Sequence, residues 1–137
     1  MTPEQNTGVV QQAYANFRKG DIESLLDLMS DTIEWELPEL AGVPTAGKRQ
    51  GRAGVADFFS KLGETQSMVK FEPREFVAQG DKVVVLGRYT WQVKSNRGEF
   101  TSDWAHVFTL KNGKIVRFQE YTDTAAISRA YAYSAAA

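Results

Sequence analysis

The 137 residues contain no cysteine and a single histidine, His106. Thiol nucleophiles, disulfides, thiolate metal sites and multi-histidine metal cages are therefore excluded. Among the groups left for acid–base chemistry, three positions are the candidates. His106 sits in Trp104-Ala-His-Val-Phe-Thr-Leu110, Glu120 in Val116-Arg-Phe-Gln-Glu-Tyr121, and Glu36 in Ile33-Glu-Trp-Glu-Leu37. Each segment alternates in the manner of a half-buried strand.

The turn at Asn112-Gly113 decides whether His106 and Glu120 meet. A two-residue turn pairs His106 with Gln119 and places it on a face with Phe108, Leu110, Arg117 and Tyr121. A three-residue turn, Lys111-Asn112-Gly113, pairs it with Phe118. That register gathers Trp104, His106, Phe108, Leu110, Val116, Phe118 and Glu120 on one face, with Asp103, Thr109, Arg117 and Gln119 opposite. Burial sets register, so the three-residue turn is expected. On such a face Glu120 would lose hydration and its pKa would rise toward neutrality, giving an acid or base. His106 could donate to a developing oxyanion or relay a proton. The same pair also reads as a satisfied core histidine with its carboxylate partner. For Glu36, alternation sets Ile33, Trp35 and Leu37 against Glu34 and Glu36, so either Trp35 or Glu36 looks inward. Tyr14, Trp35, Phe58, Trp91, Trp104 and Phe118 are the candidate ring surfaces for an apolar ligand, or else core. Asp123 reads as a helix cap. Gly51-x-x-Gly54 lacks the strand and lysine of a phosphate loop.

These residues need elements to position them. Thr2-Pro3-Glu4-Gln5 opens a helix with a capping box; Val9, Val10, Ala13, Tyr14 and Phe17 form its stripe, and Gly20 ends it. Asp21 caps a second helix with stripe Ile22, Leu25, Leu26 and Met29. After a turn at Asp31-Thr32, Ile33–Leu37 reads as a strand and residues 38–51 as a long loop of the kind that covers a site. Val55, Phe58, Phe59 and Leu62 mark a third helix. Strands follow from Val69, the first interrupted by Pro73. Lys82–Lys94 is apolar on both faces early on, with Gly87 as a bulge or bend. Glu99–Leu110, Lys114–Thr122 and a short helix from Asp123-Thr124 complete the chain. The order predicts an α+β domain in which a curved, mostly antiparallel sheet carries helices on one side and leaves a conical cavity for a small ligand.

One domain over 1–137 fits this length, with a low-complexity tail from about residue 130 expected to fray. Hydrophobic residues at 42% and charged residues at 24% describe a globular protein. A net charge of −1 lacks the basic field that nucleic acid requires. No signal peptide or membrane-spanning run is visible. The expected partners are therefore a small apolar ligand, with no nucleic acid and no membrane, in the cytoplasm.

Gly20-Asp21, Asp31-Thr-Ile-Glu-Trp-Glu-Leu-Pro38, Gly51-Arg-Ala-Gly-Val-Ala-Asp-Phe-Phe59 and Asn112-Gly-Lys-Ile-Val…Glu120-Tyr-Thr-Asp123, in this order, carry a resemblance over nearly the whole chain. The sequence resembles the nuclear transport factor 2-like superfamily, in its ketosteroid isomerase and SnoaL-like polyketide cyclase branch. The resemblance implies that Glu120 and His106 occupy the places where SnoaL-like cyclases use an acidic residue and a histidine, with Glu here for Asp. It also puts Glu36 where ketosteroid isomerases keep a catalytic aspartate. His106 falls where they hold a protonated aspartate beside a tyrosine, although Tyr14 falls about one residue out of register, roughly 100° around its helix. The Asp-Arg-Asp arrangement of epoxide hydrolases of this fold is not matched. The implied function is cofactor-free proton transfer on a small, largely apolar carbonyl compound; the other reading is a non-catalytic ligand-binding or dimerisation module. Superfamily members often dimerise through the outer sheet face, where Ala105, Val107 and Tyr121 fall here.

Overall fold

The computed structural model describes residues 1–134. Two helices open it, α1 (Pro3–Lys19) and α2 (Ile22–Asp27). The capping box is formed as the sequence predicts: Thr2 accepts from the Gln5 backbone while Gln5 bonds back to the Thr2 backbone. Gly20 closes α1 at φ 73°, a left-handed conformation that costs glycine nothing.

Strand β1 (Met29–Leu37) follows, then β2 (Gly47–Gln50), α3 (Gly51–Thr65), β3 (Gln66–Gln79), β4 (Lys82–Val93), β5 (Glu99–Lys111), β6 (Lys114–Thr122) and α4 (Thr124–Tyr131). The strands form one mixed six-stranded sheet in the order β2-β1-β6-β5-β4-β3. β3 to β6 run as an antiparallel meander, and β1 joins β6 in parallel. The α+β expectation holds, with helices against the concave face of an unclosed sheet.

Four local expectations change. Residues 47–50, read as loop, form β2 and pair with Glu34–Leu37; four polar or glycine residues carry no strand signal until an edge offers hydrogen bonds. Met29, expected on the α2 stripe, begins β1, and Asp31-Thr32 continue that strand rather than turning. Gly87 makes no bulge in β4, whose pairing with β5 runs unbroken past it. The shift lies opposite, between Pro73 and Glu75 of β3, and Gly87 is required because a Cβ there would collide with the Trp104 indole and the Glu72 carbonyl. At the C-terminus, Ala130 is buried and Tyr131 still helical, so the chain stays packed beyond residue 130; residues 135–137 of the expected tail lie outside the described residues.

The β5–β6 register is the largest correction. Lys111 pairs with Lys114, so the turn is the two-residue Asn112-Gly113 type, with φ 50° and 77°. One residue later the pairing slips, because Leu110 faces Ile115 while Thr109 faces Arg117, leaving Val116 as the extra residue of a bulge. His106 therefore pairs with Glu120, not with Phe118 or Gln119. The bulge restores the parity that the three-residue turn was expected to provide. Trp104, His106, Phe108, Phe118 and Glu120 share the inner face, and Ile115 takes the buried place expected of Val116.

The core lies between sheet and helices. Val10, Ile33, Val55, Val83, Val85 and Ile115 are completely buried, each such side chain contributing about 1.5–3 kcal/mol of transfer free energy.

Candidate functional site

A cavity of about 110 Å³ opens between the concave sheet and α1, α2, α3 and α4. Its size is of the order of one that holds a benzene ring, about 150 Å³. The walls are mainly rings and aliphatic chains from every helix and from β1, β3, β4, β5 and β6, and Pro38, Leu40, Val43, Thr45 and Ala46 of the β1–β2 connection contribute one side. Part of the long loop thus borders the cavity, as its length led us to expect.

Tyr14, Trp35, Phe58, Trp91, Phe118, His106 and Glu120 all line this space. Two sequence candidates do not. Glu36 points from the opposite face of β1, where Gln119 donates to its Oε1 across 3.1 Å and Arg117 and Lys48 lie within 3.5 and 3.7 Å. The cause is pairing parity. β1 matches Trp35 with Phe118 and Glu36 with Gln119, so the indole stacks inward on Phe118 at 3.9 Å and the carboxylate is left outside. Trp104 is buried, but it stacks behind the His106 ring at 3.9 Å and forms no part of the cavity wall.

His106 and Glu120 stand side by side as a directly opposed pair. Nε2 is 3.5 Å from Glu120 Oε1, and both side chains are almost wholly buried, at 7% and 8% exposure. On the other side of the imidazole, the Tyr14 hydroxyl lies 2.7 Å from Nδ1. Tyr14 reaches it from α1 because its ring lies nearly parallel to the imidazole, a bond that counting along the helix does not reveal. Burial, with the Glu120 charge adding to it, holds the Tyr14 phenol well above its ordinary range, so it stays protonated. Burial also depresses the His106 pKa, against the opposing pull of Glu120, which leaves a neutral imidazole near pH 7. One tautomer then fits: Tyr14 donates to Nδ1, and Nε2 carries the proton that faces the carboxylate. The opposite tautomer would set the Nε2 lone pair against an oxygen.

Glu120 has a second neighbour that sequence reasoning missed. Tyr89 of β4 donates to Oε1 across 2.8 Å and lies 2.7 Å from Thr122 Oγ1. Burial raises the Tyr89 phenol far above its usual range, with the Glu120 charge contributing. The inward parity of Val83, Val85 and Trp91 marks Tyr89 as cavity-facing, and that signal was present in the sequence. Gln66 and Thr45 also line the cavity; Tyr131 donates to Gln66 Oε1 across 2.7 Å. Chemically, the arrangement is a carboxylate in a mainly apolar chamber, flanked by a neutral imidazole donor and two phenols. No lysine or arginine lines the cavity among the described residues.

Comparisons with known proteins agree with this fold. The family model described as SnoaL-like domain matches residues 10–118. The chain is similar to a solved NTF2-like protein from Burkholderia xenovorans LB400, at 36% identity over 96% of this chain and 98% of that one, with a TM-score of 0.88. It is similar to TerC co-crystallized with polyporic acid, at 35% identity over 94% and 99% of the two chains and a TM-score of 0.82. An NTF2-like protein from Burkholderia thailandensis shares 28% identity over 95% and 98%, with a TM-score of 0.83. No curated protein matches.

Proposed function

Since the chain belongs to the SnoaL-like family of the nuclear transport factor 2-like superfamily, which includes cyclases and isomerases, we propose that it moves a proton on a small, largely apolar carbonyl compound without a cofactor. One observation carries this reading. Glu120 is the single carboxylate among the described residues lining an apolar cavity, and an uncharged imidazole stands beside it. In the proposed step Glu120 removes a proton from a carbon next to the carbonyl. The C–H electron pair moves into the carbonyl, making an enolate, and His106 Nε2–H donates to the new oxyanion. At 3.5 Å from Oε1, that N–H is not committed to a short bond and is left to be shared with a ligand oxygen. Returning the proton to another carbon would isomerise the substrate; attack by the enolate carbon on a second carbonyl would cyclise it. With a carboxylate in the cavity and no cationic side chain on its walls, the site favours neutral ligands over anionic ones.

Substrate discovery starts from thermal-shift screening with steroids, aromatic polyketides, small enones and polyporic acid, the last because a chain 35% identical was crystallized with it. For a ligand so found, Glu120→Gln is expected to keep binding and lose turnover by about 10²-fold or more, read as exchange of the ligand's α-hydrogen for deuterium by proton NMR. Full exchange in that variant would remove Glu120 from the mechanism and leave a binding module. We further propose that two copies associate through the outer sheet face, where Leu86, Ala105 and Tyr121 form one cross-strand row.

A further inference from the structure

Glu120 carries its protein contacts on one oxygen. Tyr89 donates to Oε1, and His106 Nε2 approaches the same atom. Oε2 has no protein partner among the described residues, and it is not one of the buried polar atoms sealed off without one, so its remaining exposure is to the cavity that Glu120 lines. The carboxylate is thus asymmetric, with one oxygen held and the other presented.

Tyr89 is built to do the holding. It is 5% exposed, and its ring is fixed between Phe71 at 6.5 Å and Trp104 at 6.0 Å, with Phe100 edge-on at 5.9 Å. Its hydroxyl has a second neighbour in Thr122, which can donate to the phenol oxygen while the phenol proton goes to Glu120. We propose that Tyr89 is a positioning residue: by holding Oε1 it sets the plane of the Glu120 carboxylate so that Oε2 is the oxygen that meets the ligand and takes its proton. The inference rests on the reading of Glu120 as the base. Rotation about the last bond of a glutamate is soft and nearly two-fold, so without a donor on Oε1 the carboxylate is free to turn away.

The test reads the Glu120 carboxyl carbon by ¹³C NMR in the full chain at one pH, with the resonance assigned from Glu120→Gln, together with exchange of the α-hydrogen of a ligand found by thermal shift. Tyr89→Phe keeps the ring and removes the donor on Oε1. It is expected to move the carboxyl resonance and to lower kcat for exchange by about 10²-fold while KM stays the same, the mark of a misaimed base rather than a damaged cavity. A folded Tyr89→Phe protein with full kcat overturns the proposal, as does one whose carboxyl resonance stays in place. If that variant does not fold, 3-fluorotyrosine at position 89, a stronger donor, decides: it is expected to move the resonance, and an unmoved resonance is the overturning result. Turnover separates the two readings. An inactive Glu120→Gln beside a fully active Tyr89→Phe keeps Glu120 as base and dismisses Tyr89; an active Glu120→Gln dismisses the base itself.

Discussion

His106 shows how burial converts a common side chain into a specialised one. Its folded pKa is depressed by desolvation, so the unfolded chain binds the proton more readily. Stability therefore rises with pH through the histidine range and falls as pH drops below about 6.5, by at most about 1.4 kcal/mol per pH unit for one proton. Urea denaturation at pH 7.5 and 5.5 is expected to show this loss in the wild type and to show less of it in His106→Gln. Tyr14→Phe would leave Nδ1 buried without a donor, costing about 1–3 kcal/mol at pH 7.5, read from the same denaturation curves. Glu36 provides the contrast. Its ion pairs are part-exposed, at 29% for the carboxylate and 77% for Lys48, so Glu36→Gln is expected to change stability by no more than about 0.5 kcal/mol. It should also leave turnover intact; lost turnover would bring Glu36 back as a candidate base.

Among the elements, the β5–β6 hairpin decides the site. Its two-residue turn alone would pair His106 with Gln119, and the Val116 bulge moves the pairing by one so that His106 and Glu120 share the inner face. Gly113 at φ 77° makes the turn possible, and Gly113→Ala should cost about 1 kcal/mol. Gly87 of β4 is more demanding, because the Trp104 indole that backs His106 occupies the space a Cβ would need. Gly87→Ala is expected to destabilise by about 1–3 kcal/mol or more, and to shift the His106 ring signals by displacing Trp104. An unchanged melting temperature would mean that the indole moves aside without loss.

At the scale of the whole molecule, the unclosed sheet has two faces of different character. The inner face lines the cavity; the outer face carries exposed Leu86 and Tyr121 at 39% and 54%. Under the proposed self-association, sedimentation velocity gives a dimer for the wild type and a monomer for Tyr121→Glu, since a charge at the centre of an isologous contact meets its own copy. A wild-type monomer at tens of micromolar would dismiss that interface. No helix among the described residues is long and apolar enough to cross a membrane.

The helical hairpin, α3, the meander and the inward set of Trp104, His106, Phe108, Phe118 and Glu120 were legible in the sequence because caps, turn glycines and apolar periodicity are local signals. The turn type and the partner of His106 were not, since a bulge is chosen by burial across strands and leaves no mark on its own residues. β2 was hidden for the same reason: Gly47–Gln50 become a strand only where the edge of β1 offers hydrogen bonds. Composition alone determined that neither thiol chemistry nor a multi-histidine metal cage is open to this chain. Which carboxylate faces the interior, and that two phenols from distant segments close around the pair, was decided only when side chains far apart in the chain were packed into one dry volume, where geometry and not order along the chain sets who is bonded to whom.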